Sequence, residues 1–495
     1  MNRALNILFA SSEVVPYAKT GGLADVAGAL PKALAKLGHN VIVVMPRYYG
    51  IDRSKLEFID APLCISMGLM GEFWAGVYKA YLPDSDVAIY FIDYEEFFGR
   101  SELYVDENGF SYFDNDLRFI FFSKVALELS KRLEFKPDIV HSNDWHTAIQ
   151  PLLLKSRYAF DETFKETASL LTIHNLQHQG HFHKGIVDVM EVGWEHFNPH
   201  ELEAMDGVNL LKGGIFHADV VTTVSQKYAQ EIQTPTFGFG LDGHICAHSH
   251  KLYGVLNGVD YDEWSPSVDP FIAKQYDIND MSGKAVCKKD LQKHFNLPIQ
   301  DDIPLIGFVG RLVEQKGIGL IAGVIEGLMH LDIQMVMLGA GEKWAEGFFS
   351  DIAKRYPKKF ACYIGYSNEL AHKIEAGSDL FLMPSLFEPC GLNQIYSLRY
   401  GTLPIVRATG GLDDTIHNYD PATKEGNGFK FYDATTEALF HTVKWAVETY
   451  RYEPNSYQLM QRRAMQARFD WEKSAKAYEE LYYCAFYAKR VQKYK

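Results

Sequence analysis

No stretch of this chain holds the roughly 18 uninterrupted apolar residues that a membrane-spanning helix requires. A helical integral membrane protein is therefore excluded at the outset. Positive charge is also in short supply, with 49 Lys and Arg against 63 Asp and Glu, a formal net charge of −14. A surface of that balance is a poor general partner for nucleic acid or anionic lipid, so any anionic ligand must be met by local cations. Cysteine is scarce. The six residues, at 64, 246, 287, 362, 390 and 484, include no C-x-x-C pair. Neither a disulfide framework nor a cysteine zinc site is expected, and a reducing, cytoplasmic compartment is. The opening MNRALNILFASSEVV has one Arg and an apolar run too short for a signal peptide, and it reads as a first strand.

What the chain does have is size and rhythm. Its 495 residues suggest two or three domains, and 47% hydrophobic with 23% charged residues is the balance of a globular protein. Short β-rich runs alternate with helical stretches: NILFASS (6–12), then LADVAGALPKALAKLG (23–38), VIVVMPRY (41–48), DIVHSND (138–144), SLLTIHN (169–175) and DVVTTVS (219–225). Continuous Val/Ile/Leu strands separated by helices predict an α/β fold with a doubly wound parallel sheet. The pattern breaks at VLNGVDYDEWSPSVDP (255–270), where a hinge is placed near 255–265, and restarts with PLIGFVG (304–310), IQMVMLG (333–339), DLFLMPS (379–385) and TLPIVRA (402–408). The boundaries follow as 1–258, 259–470 and a long amphipathic helix at 471–495 that has no sheet of its own to pack on.

Polar and glycine residues fall just beyond the strands, where ligands of open parallel sheets bind. KTGGLAD (19–25) and ATGGLDD (408–414) repeat T-G-G-L-x-D almost four hundred residues apart. In each, paired glycines (Gly21 and Gly22; Gly410 and Gly411, after Thr409) let backbone N–H groups approach an anion at a helix N-terminus. Lys19 adds a point charge; the alternative is a tight turn with a solvated lysine. GRLVEQKG (310–317) brings Arg311 and Lys316 into one loop, a pair suited to a diphosphate, or else ordinary surface cations. In LFEPCGLNQ (386–394), Glu388 precedes a helix expected near Gly391, where a carboxylate stays ionised and can accept hydrogen bonds from two sugar hydroxyls; a capping role is the alternative. Cys390 reads as packed rather than nucleophilic. HSNDWH (141–146) and HNLQHQGHFH (174–183) are histidine-rich but match no zinc signature, so Asp144 and His174 read as groups binding sugar hydroxyls, or as a cap and a core histidine. Asn115 opens an aromatic helix at 112–129. Tyr366 is suited to stacking on a nucleobase or to packing in a core.

Together SSEVVPYAKTGGLADV, NDWHT, TIHNLQHQG, LNGVD, GRLVEQKG, PSLFEPCGLNQ and ATGGLDDT resemble, in order and across almost the whole chain, the bacterial glycogen synthase and plant starch synthase family. The resemblance implies a GT-B architecture: two Rossmann-like domains facing across a cleft, with the C-terminal helix crossing back to the first. It implies transfer of glucose from a nucleoside diphosphate glucose, ADP-glucose or UDP-glucose, to the non-reducing end of an α-1,4-glucan. Configuration is retained, and no metal or other cofactor takes part. It casts Lys19, Gly21 and Gly22 as donor-binding, with Arg311 and Lys316 as the diphosphate pair and Glu388 as the catalytic-cleft glutamate. Asp144 and His174 lie near the glucose, Tyr366 on the base, and Cys390, Gly391, Leu392, Thr409, Gly410 and Gly411 around the donor. Asp25, and Asn115 at the start of its helix, are expected on the acceptor side of the cleft. Leu386 and Asn393 depart from the Arg and Thr that many bacterial members carry there. Rival readings are a retaining transferase with a small sugar acceptor and a catalytically silent glucan-binding protein. A glucan phosphorylase would need a pyridoxal phosphate lysine and a longer chain.

Overall fold

The continuous Val/Ile/Leu runs, too apolar for half-exposed strands, form the centres of two separate sheets. The computed structural model describes residues 3–491, which divide into two units: the chain up to Gly258 together with the segment from Trp471, and Val259–Asp470.

The first unit holds strands β1 (Asn6–Ala10), β2 (Asn40–Pro46), β3 (Glu57–Ser66), β4 (Glu72–Tyr81), β5 (Ala88–Asp93), β6 (Ile139–Asn143), β7 (Ala168–Ile173), β8 (His181–His183), β9 (Glu203–Ala204), β10 (Gly207–Asn209), β11 (Val220–Thr223) and β12 (Leu252–Gly254). Nine of them form one sheet in the order β12-β11-β7-β6-β1-β2-β5-β4-β3. From β12 to β5 all pairs are parallel, but β4 runs antiparallel to both β5 and β3. The purely parallel reading is corrected at that edge. These strands escape the sequence pattern because one face stays open, with Phe58 55% and Trp74 59% exposed, so they lack a continuous apolar run. A small antiparallel sheet, β8-β10-β9, stands apart. The chain enters the large sheet at β1, adds β2 on one side and later β6 on the other, so the switch point lies beyond the carboxyl ends of β1 and β6.

The helix Trp471–Val491 buries Ala475, Tyr478, Tyr482 and Phe486 at helical spacing in the first unit's core. Two tyrosine hydroxyls anchor it there: that of Tyr482 lies 2.7 Å from Nδ1 of the β6 residue His141, and that of Tyr483 donates to the Arg3 carbonyl at 2.8 Å.

The second unit is a six-stranded, wholly parallel sheet of β13 (Leu305–Val309), β14 (Gln334–Gly339), β15 (Phe360–Ile364), β16 (Leu380–Met383), β17 (Leu403–Arg407) and β18 (Phe429–Phe431), in the order β15-β14-β13-β16-β17-β18. This is the doubly wound 3-2-1-4-5-6 order, whose switch point falls between its first and fourth strands, here β13 and β16. The crossover helix Ile318–His330 shows the logic of its packing: Ile318, Ile321, Ile325 and Leu328 form one buried stripe.

Candidate active site

In the second unit the loops after β13 and β16 bring two of the sequence-predicted residues into direct contact. Lys316 Nζ lies 2.5 Å from Glu388 Oε2, with the glutamate side chain 7% and the lysine side chain 22% exposed. Ser385 Oγ donates to the same carboxylate oxygen at 3.0 Å. The loops are laced together by the Leu386 N–H, which donates to the Gln315 carbonyl at 2.8 Å. Arg407, at the end of β17, donates to the carbonyls of Ser385, at 2.9 Å, and Leu386. Gln394 Nε2 donates to the Cys390 and Gly391 carbonyls at 3.0 and 3.1 Å. Glu388 thus sits on a rigid loop with its charge held by one cation at the mouth of the switch point. Arg311, in contrast, is exposed and among the described residues its guanidinium meets only Gln315 Oε1, at a long 3.3 Å, so it is available to a ligand.

The helix after Glu388 begins at Asn393, two residues beyond the sequence expectation, with Leu392 as its N-cap and Gly391 at φ 70°. Asn393 donates from Nδ2 to the Val309 carbonyl at 2.9 Å and so ties this helix to β13. Leu386 enters the lattice of bonds only through its main chain, and Cys390 is buried, in keeping with the packed role read from sequence. Tyr366, beyond β15, is 82% exposed, so the core alternative falls away.

The second T-G-G-L turn works differently from the anion cradle read in the sequence. The Gly411 N–H donates to the Glu388 and Pro389 carbonyls at 3.1 and 3.2 Å, and the Thr409 N–H donates to Arg407. A Cβ on Gly410 would sit 1.9 Å from the Glu388 carbonyl oxygen, and one on Gly411 2.0 Å from that of Cys390. These glycines are there for close approach of backbone to backbone, and they press the turn against the Glu388 loop.

The first copy has the opposite character. Gly21 and Gly22 face open space, with no heavy atom within 4 Å of an added Cβ. Their loop is ordered by Glu13, which sequence reading passed over. This buried carboxylate accepts from the Thr20 N–H (2.5 Å), Thr20 Oγ1 (2.6 Å), the Gly21 N–H (3.1 Å) and the Tyr104 hydroxyl (2.7 Å). Its only sequence signal is an acid three residues past an apolar strand at the chain's entry point. Lys19 pairs with Asp25 at 2.7 Å, so the proposed donor lysine and acceptor aspartate neutralise one another, and with the lysine side chain 49% exposed the pair carries small energetic weight. Burial pushes the Asp25 carboxyl up and Lys19 pulls it back.

At the end of β6, Asp144 adopts the left-handed conformation (φ 54°), which Asp and Asn tolerate better than most residues. Its Oδ1 accepts the His174 N–H at 2.7 Å, joining the ends of β6 and β7. Burial raises the Asp144 carboxyl to about 7 despite the N–H donors that favour the anion. Asn143 donates Nδ2–H to the Ala10 carbonyl at 3.0 Å, which leaves its Oδ1 to accept from His174 Nε2 at 2.9 Å. The imidazole, lowered to about 3 by burial, therefore remains neutral, with the proton on Nε2 and a lone pair on Nδ1. Asn115, by comparison, spends both side-chain atoms internally, donating to the Tyr104 carbonyl at 2.9 Å and accepting from Arg118 at 2.6 Å. The two histidine-rich stretches do not converge on a metal-like group among the described residues. His141 bridges Tyr482 and Thr172, and His146 stacks on Tyr104.

Two doubly wound units, one of them carrying a Lys–Glu pair and an exposed arginine at its switch point, define a glycosyltransferase of the GT-B fold. Residues 6–247 match the family described as the starch synthase catalytic domain, and residues 290–465 match glycosyl transferases group 1. Glycogen synthase 1 of Geobacter sulfurreducens is 53% identical over 489 residues, 98% of this chain and 97% of that protein. Glycogen synthase of Desulforudis audaxviator is 44% identical, covering 97% and 96%. The catalytic domain of starch synthase IV from Arabidopsis thaliana, solved bound to ADP and acarbose, superposes with a TM-score of 0.90 at 32% identity, covering 98% of this chain and all of that one. A sucrose-phosphate synthase from Thermosynechococcus elongatus shares the fold, with a TM-score of 0.60 at 17% identity over 97% of this chain and 99% of its own. The chain belongs to the glycogen synthase and starch synthase family of retaining glycosyltransferases.

Proposed function

We propose that this chain transfers glucose from ADP-glucose to the non-reducing end of an α-1,4-glucan, with retention, in the cytoplasm. The observation that carries the reading is the Lys316–Glu388 pair at the β13/β16 switch point, with the exposed Arg311 on the same loop as Lys316. Cleaving the bond between C1 and the diphosphate builds positive charge on the sugar and negative charge on the leaving oxygen. In this reading Arg311 and Lys316 meet the latter, as fixed cations that need no reorganisation at the moment of reaction. Glu388 receives glucose hydroxyls, and Tyr366 stacks on the base. The acceptor hydroxyl attacks C1 from the face the diphosphate leaves, and its proton passes to the departing phosphate oxygen, so no general acid is required. On the first unit, Asp144 and His174, with Lys19 and the open Gly21–Gly22 turn, are the candidate ligand groups. Neutral His174 offers a Nδ1 lone pair and a main-chain carbonyl rather than a cation. That suits a partner for an electron-poor sugar.

ADP is the nucleotide named with the starch synthase IV domain, which is why ADP-glucose is preferred here over UDP-glucose. A paired assay of the two donors with glycogen as acceptor tests this directly. Preference for UDP-glucose would replace the donor assignment. Transfer to a free monosaccharide but not to glycogen would replace the acceptor. Nucleotide release from neither donor would leave a binding protein.

A further inference from the structure

Away from the switch point, three side chains of the first unit aim their donor atoms at one spot. His196 Nδ1 and His217 Nε2 lie 2.6 and 2.7 Å from the same oxygen, Glu201 Oε2. The imidazole rings stand nearly perpendicular, 5.2 Å apart at 78°. Asn198 holds the other carboxylate oxygen at 3.1 Å, an outer contact that fixes the direction of the glutamate. His196 ends a 3-10 turn, Trp194–His196, and His217 ends the helix Leu210–His217, so the cluster joins two elements that lack a shared sheet. Glu201 also borders a cavity of about 850 Å³ that Asn198, His200, Lys212, His244 and His248 help to line.

We propose that His196, Glu201 and His217 form a binding site for a divalent transition metal of the Zn(II) class, with its fourth coordination position opening to this cavity. Two imidazoles and one carboxylate make a zinc ligand set, and such a set leaves one position for water or another ligand. Each imidazole now points a proton at Glu201. Moving that proton to the far ring nitrogen presents a lone pair instead, and a neutral imidazole remains neutral. Bond lengths of about 2.0–2.2 Å to a tetrahedral ion require ligand atoms about 3.4 Å apart. The cluster must therefore open by less than 1 Å, and Glu201 has the cavity to open into. The bound ion would clamp the Trp194–His196 turn to the Leu210–His217 helix.

The test uses the full chain with any histidine tag removed. Titration with Zn(II) should saturate at a single ion per chain, and Co(II) should give the intense visible absorption of four-coordinate cobalt. The variant His196→Asn/His217→Asn should bind Zn(II) at least 100-fold more weakly. Zn(II) should raise the melting temperature of the parent and not of the variant. Equal Zn(II) affinity in parent and variant would overturn the assignment. Should the variant not fold, the unmodified chain decides by itself, since only weak six-coordinate cobalt absorption would exclude the site.

Discussion

Replacing Lys316 with methionine keeps the length of the side chain and deletes its charge. Two effects then separate. For stability, Glu388 is left almost fully buried, with Ser385 Oγ at 3.0 Å as its remaining side-chain donor. Breaking a buried pair from one side costs about 3–5 kcal/mol. Because Lys316 is about one-fifth exposed, water can reach the orphaned carboxylate, and about 2–3 kcal/mol is the better figure. For catalysis, the lost cation is one of two assigned to the leaving diphosphate, and deleting a single preorganised charge-stabilising group lowers kcat by about 10²–10³. Adding Glu388→Gln to the methionine variant removes the stranded charge, so stability should return to within about 1 kcal/mol of the parent while transfer stays lost. Urea unfolding measures the first quantity, and ADP release from ADP-glucose in the presence of glycogen measures the second. Activity of the single variant within threefold of the parent, or recovery of activity along with stability in the double variant, would refute the assignment of Lys316 to the diphosphate.

Four further outcomes are expected. Asp144→Asn keeps an oxygen to accept the His174 N–H and suits the left-handed backbone. The parent carboxyl, raised from 3.8 to about 7, keeps a proton that the unfolded chain loses, so its contribution to stability is present below about pH 4 and lost as pH climbs through 7. Relative to the parent, the variant should therefore gain about 3 kcal/mol between pH 4.5 and 8 in urea melts, while His174 cancels in the comparison. A flat difference across that range would show that Asp144 titrates normally. Gly411→Ala drives a Cβ to 2.0 Å from the Cys390 carbonyl and should cost about 1–3 kcal/mol. Gly21→Ala, in open space at φ −149°, should leave the melting temperature within error and raise the KM for ADP-glucose. Tyr366→Ala should raise the donor KM by about 5- to 150-fold, the equivalent of about 1–3 kcal/mol of base stacking, with little change in kcat.

What could be read in advance followed from local regularity. Parallel strands buried on both faces announce themselves as unbroken Val/Ile/Leu runs, and the residues just past them can be nominated from strand ends alone. Lys316 and Glu388 were found that way, but their pairing joins positions 72 residues apart and depends on strand order. Glu13 was missed because an isolated acid after a strand looks like any surface glutamate. Its importance lies in four donors that two separate segments bring to it. The repeated T-G-G-L was legible as a shared turn, yet only the structure shows that one copy faces open space and the other presses on a neighbouring carbonyl. The β3–β5 edge was hidden by its open face, and Asn115 by a partner, Tyr104, that sits in a loop without periodicity.

The dovetailing of Gly258 against Trp471, where a Cβ would lie 2.5 Å from the next segment's main-chain nitrogen, makes the second unit an insertion within the first. On the ribosome this reverses the usual order of maturation. The middle of the chain emerges complete and can close its own sheet while the opening half still waits for Tyr478, Tyr482 and Phe486, made after the whole second unit, to fill its core. A stalled or clipped nascent chain would therefore release a finished carboxyl-side module attached to an amino-side one that exposes an oily groove, and quality-control chaperones should recognise that groove first.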